Sequence, residues 1–505
     1  MHISTADRRR IVMGRGSYHH EFMRRLEAIP AHGLGLSVDV HSPPLASLRR
    51  SLQDRGVPPS YLEVFRTTTM ALESVKKDVG NGLIAYHGEG LWVTQPEVTE
   101  MGAFQQAFHE TVEHLLVLQS AWLNHECATK FLAGHYFGTY LPPLYTRSSA
   151  DLVSEHVRKI QRVLDQQCGL ANGNTPLLLL EMPPLTYFVA GTLSPPSFFR
   201  IVCDQSPCGL VLDVGHLWTV FRYSWARRTQ SREQFVSTFL DEFPLERVVE
   251  IHVAGLDVHH SSGSPVSIGP GHPNETVLPA WIDAHEAPIP AVLFEMLDQI
   301  LGHPRLTNLK GLALEVDMKP VELIVEEFAR FSRRYTSTFP RIPMSDVLPF
   351  VPEVSSLAEE QTSAMAKQVL KEAYDRYVRV LTGQAEPVGP EWKEASSYAE
   401  ELDRYRTGYL PHEILHWGGD LEDMFVESCR QLRERGLSLE GFVTFWFREP
   451  RCSSESYDFF LLKVERFVEF VCEIAPDLQD IVDREAHDLR LAYQIVNEPT
   501  VPAEV

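Results

Sequence analysis

Nine potential metal ligands follow one another along this chain: His87, His125, Glu181, Asp213 and His216, His252, Asp283 and His285, and Glu315. Most of them close a short apolar run, as in GLIAYH, LLLLE, CGLVLD, RVVEIH and GLALE. A carboxylate or imidazole at the end of a buried strand is costly unless something compensates it, so a series of such ends predicts convergence on a common positive charge. Asp213-x-x-His216 places two ligands just past one strand, and Asp283-x-His285 sends two side chains from one extended loop. Neutral imidazoles mixed with carboxylates suit zinc, iron or manganese, and the lack of cysteine in the series argues against a structural zinc site. Nine ligands are too many for one ion, which predicts two or three ions joined by bridging carboxylates. Taken singly, any of these histidines reads as a core or surface residue, and any strand-end acid as a cap of the next helix. It is the shared position that carries the expectation, and His125 and His216 have the weakest individual claims. His41, His135, His259 and His260 are loop candidates for substrate contact.

The elements that must hold these residues are legible as eight strand-like runs: 33–40, 61–65, 82–87, 121–125, 177–181, 208–213, 247–252 and 311–317. Amphipathic stretches at 104–120, 150–168, 231–242 and 321–334 alternate with them, and strand–helix alternation predicts a parallel sheet. Eight such units predict a closed α/β (β/α)8 barrel of the TIM type over residues 1–340, with functional groups at the C-terminal ends of the strands. A Pro-, Ser- and acid-containing segment, 341–360, reads as a linker. From 361 to 505 helical periodicity dominates, for example the stripe Val482, Ala486, Leu489, Tyr493 and Val496, and this part is expected to form a mostly helical domain.

Composition narrows the function classes. With 44% hydrophobic and 23% charged residues the 505-residue chain has the make-up of a globular protein. Its 46 basic against 68 acidic residues give a formal charge of −22, which disfavours nonspecific attraction to nucleic acid or an anionic membrane. There is neither a signal-peptide pattern nor a run of membrane-spanning length, so a cytoplasmic location is expected. Seven scattered cysteines suit reduced thiols rather than a disulfide framework.

The ligand series and its flanks resemble the xylose-isomerase-like barrels, specifically the multinuclear non-heme iron-dependent oxygenases that modify ribosomally made peptides, of the methanobactin-biosynthesis type. The stretches that carry the resemblance are GLGLSVDV, YLEVF, YHGEGL, LNHECA, LLLLEMPPLTYF, LVLDVGHLW, EIHVAG, WIDAHEAPIP and ALEVDMKP, together covering about residues 30–325. Asn124 stands where the family usually has an acid, and Arg66-Thr67-Thr68 replaces an expected acidic pair. The resemblance implies two or three iron ions and O2 as co-substrate. One iron would hold a substrate thiolate while its neighbour binds O2, and the carbon next to sulfur is oxidised. Glu181, Asp213, His252, Asp283, His285 and Glu315 are then ligands that set geometry and potential, with Asp213, His252 and Glu315 assigned to the reacting centre. It also implies a precursor peptide as substrate, modified at a cysteine whose sulfur anchors it, and a separate partner protein that grips the peptide. Residues 361–505 are weakly similar to such partners, so a natural fusion is the favoured reading against an unrelated oligomerisation module.

Two rivals share residues with this reading. The same ligand order resembles the trinuclear zinc barrel of the endonuclease IV type, which the acidic charge disfavours. In PHEILHW, His412-Glu413-x-x-His416 matches the metalloprotease motif, but Pro411 before it and Gly418-Gly419 after it leave little helix to present both histidines.

Overall fold

In a computed structural model, residues 18–41, 43–96, 102–172, 175–185, 187–256, 285, 287–339, 362–393, 399–451 and 458–497 are described. Ten strands lie among the described residues: β1 (Gly33–Val38), β2 (Tyr61–Phe65), β3 (Leu83–His87), β4 (Trp122–Glu126), β5 (Thr129–Leu132), β6 (His135–Leu141), β7 (Leu177–Glu181), β8 (Gly209–Asp213), β9 (Val248–Val253) and β10 (Gly311–Glu315). Eight of them close a parallel barrel in the order β1-β10-β9-β8-β7-β4-β3-β2. The fold is therefore the α/β (β/α)8 TIM-like barrel with a helical C-terminal region. Strands such as LLLLE are apolar throughout because one face meets the surrounding helices and the other the barrel axis; all five residues of β7 are buried.

Along each strand, alternate residues point inward, and the axis fills in layers. At the N-terminal end, Phe22, Leu26 and Ile29 pack with Tyr61, Trp122, Leu177, Leu179, Val211, Val249 and Ala313 to close the barrel floor. Residues 18–27 are helical. Gly35 and Gly311 are required there, since a Cβ at Gly35 would sit 2.3 Å from the Tyr61 ring and one at Gly311 would sit 2.6 Å from its hydroxyl. The glycines make a slot that lets the phenol cross the axis.

Strands β5 and β6 form an antiparallel hairpin that leaves the barrel directly after β4. Leu132, Phe137 and Leu141 of the hairpin, Leu144 and Leu152 after it, and Tyr187, Phe188 and Ala190 from the loop after β7 share one apolar core with the C-terminal helices. Those helices include Ala364–Leu381, Leu410–His416, Phe459–Ile474 and Gln479–Asn497. Polar clamps cross the same boundary: Trp446 Nε1 donates to Tyr136 O at 2.8 Å, Tyr374 Oη meets Ser149 Oγ at 2.8 Å, and Glu401 accepts from Arg227 at 2.8 Å and Arg222 at 3.3 Å. Phe442, Phe445, Trp446, Phe447, Phe467 and Phe470 also lie in this core. No described helix is long and apolar enough to cross a membrane.

Candidate metal centre

The C-terminal strand ends bring buried ionisable groups to one place. Glu63 (β2), His87 (β3), His252 (β9) and Glu315 (β10) offer ligand atoms that all lie within 4.8 Å of one another, and so do His87, Glu126 (β4) and Glu181 (β7). His87 belongs to both groups, which suits two adjacent ions.

His252 is the centre of the arrangement. Its Nδ1 lies 3.1 Å from Glu315 and 3.4 Å from Glu181, and its Nε2 lies 3.0 Å from Glu63 and 3.6 Å from Glu250. Despite these short approaches neither ring nitrogen is aligned for a hydrogen bond, and Glu63 Oε1 and Glu181 Oε1 also have no hydrogen-bond partner. Burial opposes a charge on His252, yet Glu63, Glu181 and Glu315 raise its pKa well above the ordinary value. Burial likewise opposes ionisation of Glu181, but the imidazoles of His252, His216 and His87 hold it down to about 2. Burial, and then the charge of Glu63, push Glu250 up to about 7. One imidazolium cannot balance four buried carboxylates. A divalent cation can, and the oxygen and nitrogen donors present fit zinc, iron or manganese.

The other expected ligands fall into distinct situations. Asp213 accepts the backbone N–H of His216 at 2.6 Å and so caps the helix Val214–Tyr223 while lying at the strand end. His216 contacts Met182 O through Nδ1 at 2.7 Å and stands 3.6 Å from Glu181 and 3.8 Å from Asp213, at the edge of the cluster. His285 pairs with Asp317 at 3.1 Å and approaches Glu315 at 3.5 Å. Asp283 lies outside the described residues. His125 is not brought into either group: Nε2 accepts the Leu91 N–H at 3.0 Å and Nδ1 meets Glu126 O at 2.8 Å. Burial lowers its pKa to about 4, so it is a neutral ring that ties the loop after β3 to β4. The reason is strand alternation, since Trp122, Asn124 and Glu126 take the inward positions of β4.

Asn124 brings an amide donor to the centre. Its Nδ2 donates to Glu181 Oε2 at 2.7 Å and lies 3.4 Å from His87 Nδ1, so an amide does what a carboxylate could not do beside Glu181. Glu63, Glu126 and Glu250 were not among the residues read from sequence. Alternation was the signal that could have found them, because YLEVF and NHE place Glu63 and Glu126 on the inward face. Of the loop histidines, His41 is exposed and meets Thr67 Oγ1 at 3.1 Å, whereas His135 sits on the hairpin against Phe447, with ring centroids 5.6 Å apart. His259 and His260 lie outside the described residues.

The metalloprotease motif does not assemble. Glu413 accepts from Thr139 N at 3.2 Å and Thr139 Oγ1 at 2.5 Å, His416 Nδ1 meets Asp420 at 2.5 Å, and neither metal-ligand group found among the described residues contains them.

Barrel and centre together describe a TIM barrel with a candidate metal site at the C-terminal ends of its strands. Residues 57–335, more than half of the chain, match the family described as RiPP precursor modification enzyme MbnB/TglH/ChrH, and the chain belongs to that family. Among curated proteins it is 26% identical over 201 residues to a UPF0276 protein of Paraburkholderia phytofirmans, covering 39% of this chain and 58% of that one. It is 23% identical over 236 residues to a UPF0276 protein of Rhizobium meliloti, covering 46% and 63%. The chain thus spans about three fifths of the length of these relatives. A solved structure of endonuclease IV from Thermus thermophilus aligns over 60% of this chain and 99% of that one, at 14% identity and a TM-score of 0.36.

Proposed function

We propose that this protein is an O2-dependent multinuclear iron oxygenase of the cytoplasm that oxidatively modifies a residue, namely cysteine, of a ribosomally made precursor peptide. The observation that supports it most is the crowding of Glu63, Glu181, Glu250 and Glu315 around His252 in a chain of the peptide-modifying family. Glu126, Glu181, Glu315, His87 and His252, with Asp213, His216 and His285 beside them and Asp283 as the sequence suggests, would hold the ions. Bound iron would supply one-electron chemistry and positions for O2 and a substrate thiolate. The residues do the rest. Asn124 orients Glu181, Asp213 fixes the start of the helix that carries His216, and Asp317 orients His285. The apolar barrel floor excludes water from below, so substrate enters from the mouth. The helical region would help to bind the peptide in place of a separate partner, a role supported by its attachment to the hairpin that follows β4.

Anaerobic loading with Fe(II), followed by O2 uptake and mass analysis of a cysteine-bearing precursor peptide, tests the reading. Iron retention with a peptide mass change dependent on O2 is the expected result. Cleavage of abasic DNA by zinc-loaded protein, with no change in any peptide, would sink it.

A further inference from the structure

The imidazole of His252 divides the centre into a mouth side and a floor side. On the mouth side Nδ1 faces Glu315 and Glu181, which end their strands. On the floor side Nε2 faces Glu63, two residues before the end of β2, and Glu250, two residues before His252 on β9. The two pairs are furnished differently. Each floor carboxylate is held by dedicated donors: Ser37 Oγ donates to Glu63 Oε2 at 2.6 Å, Tyr61 Oη to Glu250 Oε1 at 2.6 Å, and Trp122 Nε1 to Glu250 Oε2 at 2.8 Å. Gly35 and Gly311 exist as glycines in the space Tyr61 needs for that reach. Directly below come Trp122, Leu179, Val211 and Ala313. On the mouth side Glu181 Oε2 has one such donor, Asn124 Nδ2; Glu181 Oε1 and Glu63 Oε1 each lack a hydrogen-bond partner, whereas both oxygens of Glu250 are held.

We infer that Glu63 and Glu250, whose oxygens stand 3.0 and 3.6 Å from Nε2 without being aligned to it, are positioning residues: on metal binding the ring turns so that they receive the Nε2–H of His252, which leaves Nδ1, beside Glu181 and Glu315, as the nitrogen that binds metal. Glu63 is then an orienting acceptor although its position would permit ligation. Carboxylates behind a metal-bound histidine fix its tautomer and ring orientation and raise its basicity. Tyr61 and Trp122 form the next shell, because they hold Glu250 still. This inference rests on the metal-centre reading of the site.

The probe is zinc, a diamagnetic divalent ion, with the full-length protein labelled with nitrogen-15 in histidine. Long-range proton–nitrogen correlation distinguishes a metal-bound Nδ1 from a metal-bound Nε2, and the His252→Gln variant assigns the signal. The expected spectrum has Nδ1 of His252 coordinated and Nε2 protonated. Glu250→Gln and Glu63→Gln should keep the zinc stoichiometry while weakening affinity about 10- to 100-fold. Tyr61→Phe, the milder change, should shift the Nε2–H resonance at unchanged stoichiometry. Coordination through Nε2, or loss of an ion in Glu63→Gln, overturns the inference and leaves the metal centre standing. Failure of the unaltered protein to bind zinc or Fe(II) overturns both.

Discussion

Two clusters in this protein contain histidines close to glutamates, and they differ in what surrounds them. At the barrel mouth the members come from strands far apart in the chain, and the groups nearest Glu63 and Glu181 are imidazoles, a hydroxyl and an amide. In the HEILH turn the members are sequence neighbours, but each carboxylate is already satisfied: Glu413 by Thr139, and Asp420 by His416 and the Glu422 N–H. Lys463 lies close by, donating to Trp417 O and Gly419 O, with burial lowering its pKa to about 7. Spacing along the chain therefore marks the wrong cluster. Uncompensated negative charge in a dry place marks the other.

The sharpest way to break this contrast is to remove one ring from each cluster. His252→Ala should lose bound metal, with affinity falling more than the roughly 100-fold that orienting partners cost, whereas His416→Ala should retain the full metal content; elemental analysis after anaerobic purification reads both. A second test concerns pH. Burial pushes Glu413 up to about 8 from an ordinary 4.5, so the folded chain keeps a proton that the unfolded chain has released. Its contribution is fully present below about pH 4.5 and is lost as pH rises to about 8. Glu413→Gln should flatten that decline, by at most about 1.4 kcal/mol per pH unit, in denaturant melts across the interval. Third, Asn124→Asp places a carboxylate against Glu181 and should destabilise the metal-free protein by about 1–3 kcal/mol, with metal restoring much of the loss; equal destabilisation with and without metal would count against the centre. The smallest effect belongs to the half-exposed His416–Asp420 pair, where Asp420→Asn should cost about 1 kcal/mol or less in melting experiments.

The barrel was readable because its strands are apolar on both faces and stop at ionisable residues, which is how β3, β7, β8, β9 and β10 announced both themselves and His87, Glu181, Asp213, His252 and Glu315. The same habit hid Glu63, which sits in mid-strand, and favoured His125 over Glu126 at the end of β4. A single residue of register decides which side chain faces the axis, and a strand end drawn at 125 instead of 126 conceals it. The β5–β6 hairpin escaped because TKFLAGHYFGTYL mixes apolar and polar residues without a clean period, and its burial depends on helices much later in the chain. Tertiary partners, which a local window does not contain, decide that segment. The floor network of Tyr61, Trp122 and Glu250 is hidden for the same reason.

The hairpin begins three residues after Glu126 and is embedded in the helical region's core. Barrel and helices consequently behave as two halves of one lock. A barrel produced alone would expose Leu132, Phe137, Leu141, Tyr187 and Phe188 as a sticky face prone to self-association. Supplied as two separate polypeptides, the halves should find each other unaided, and the covalent link would serve chiefly to raise their local concentration.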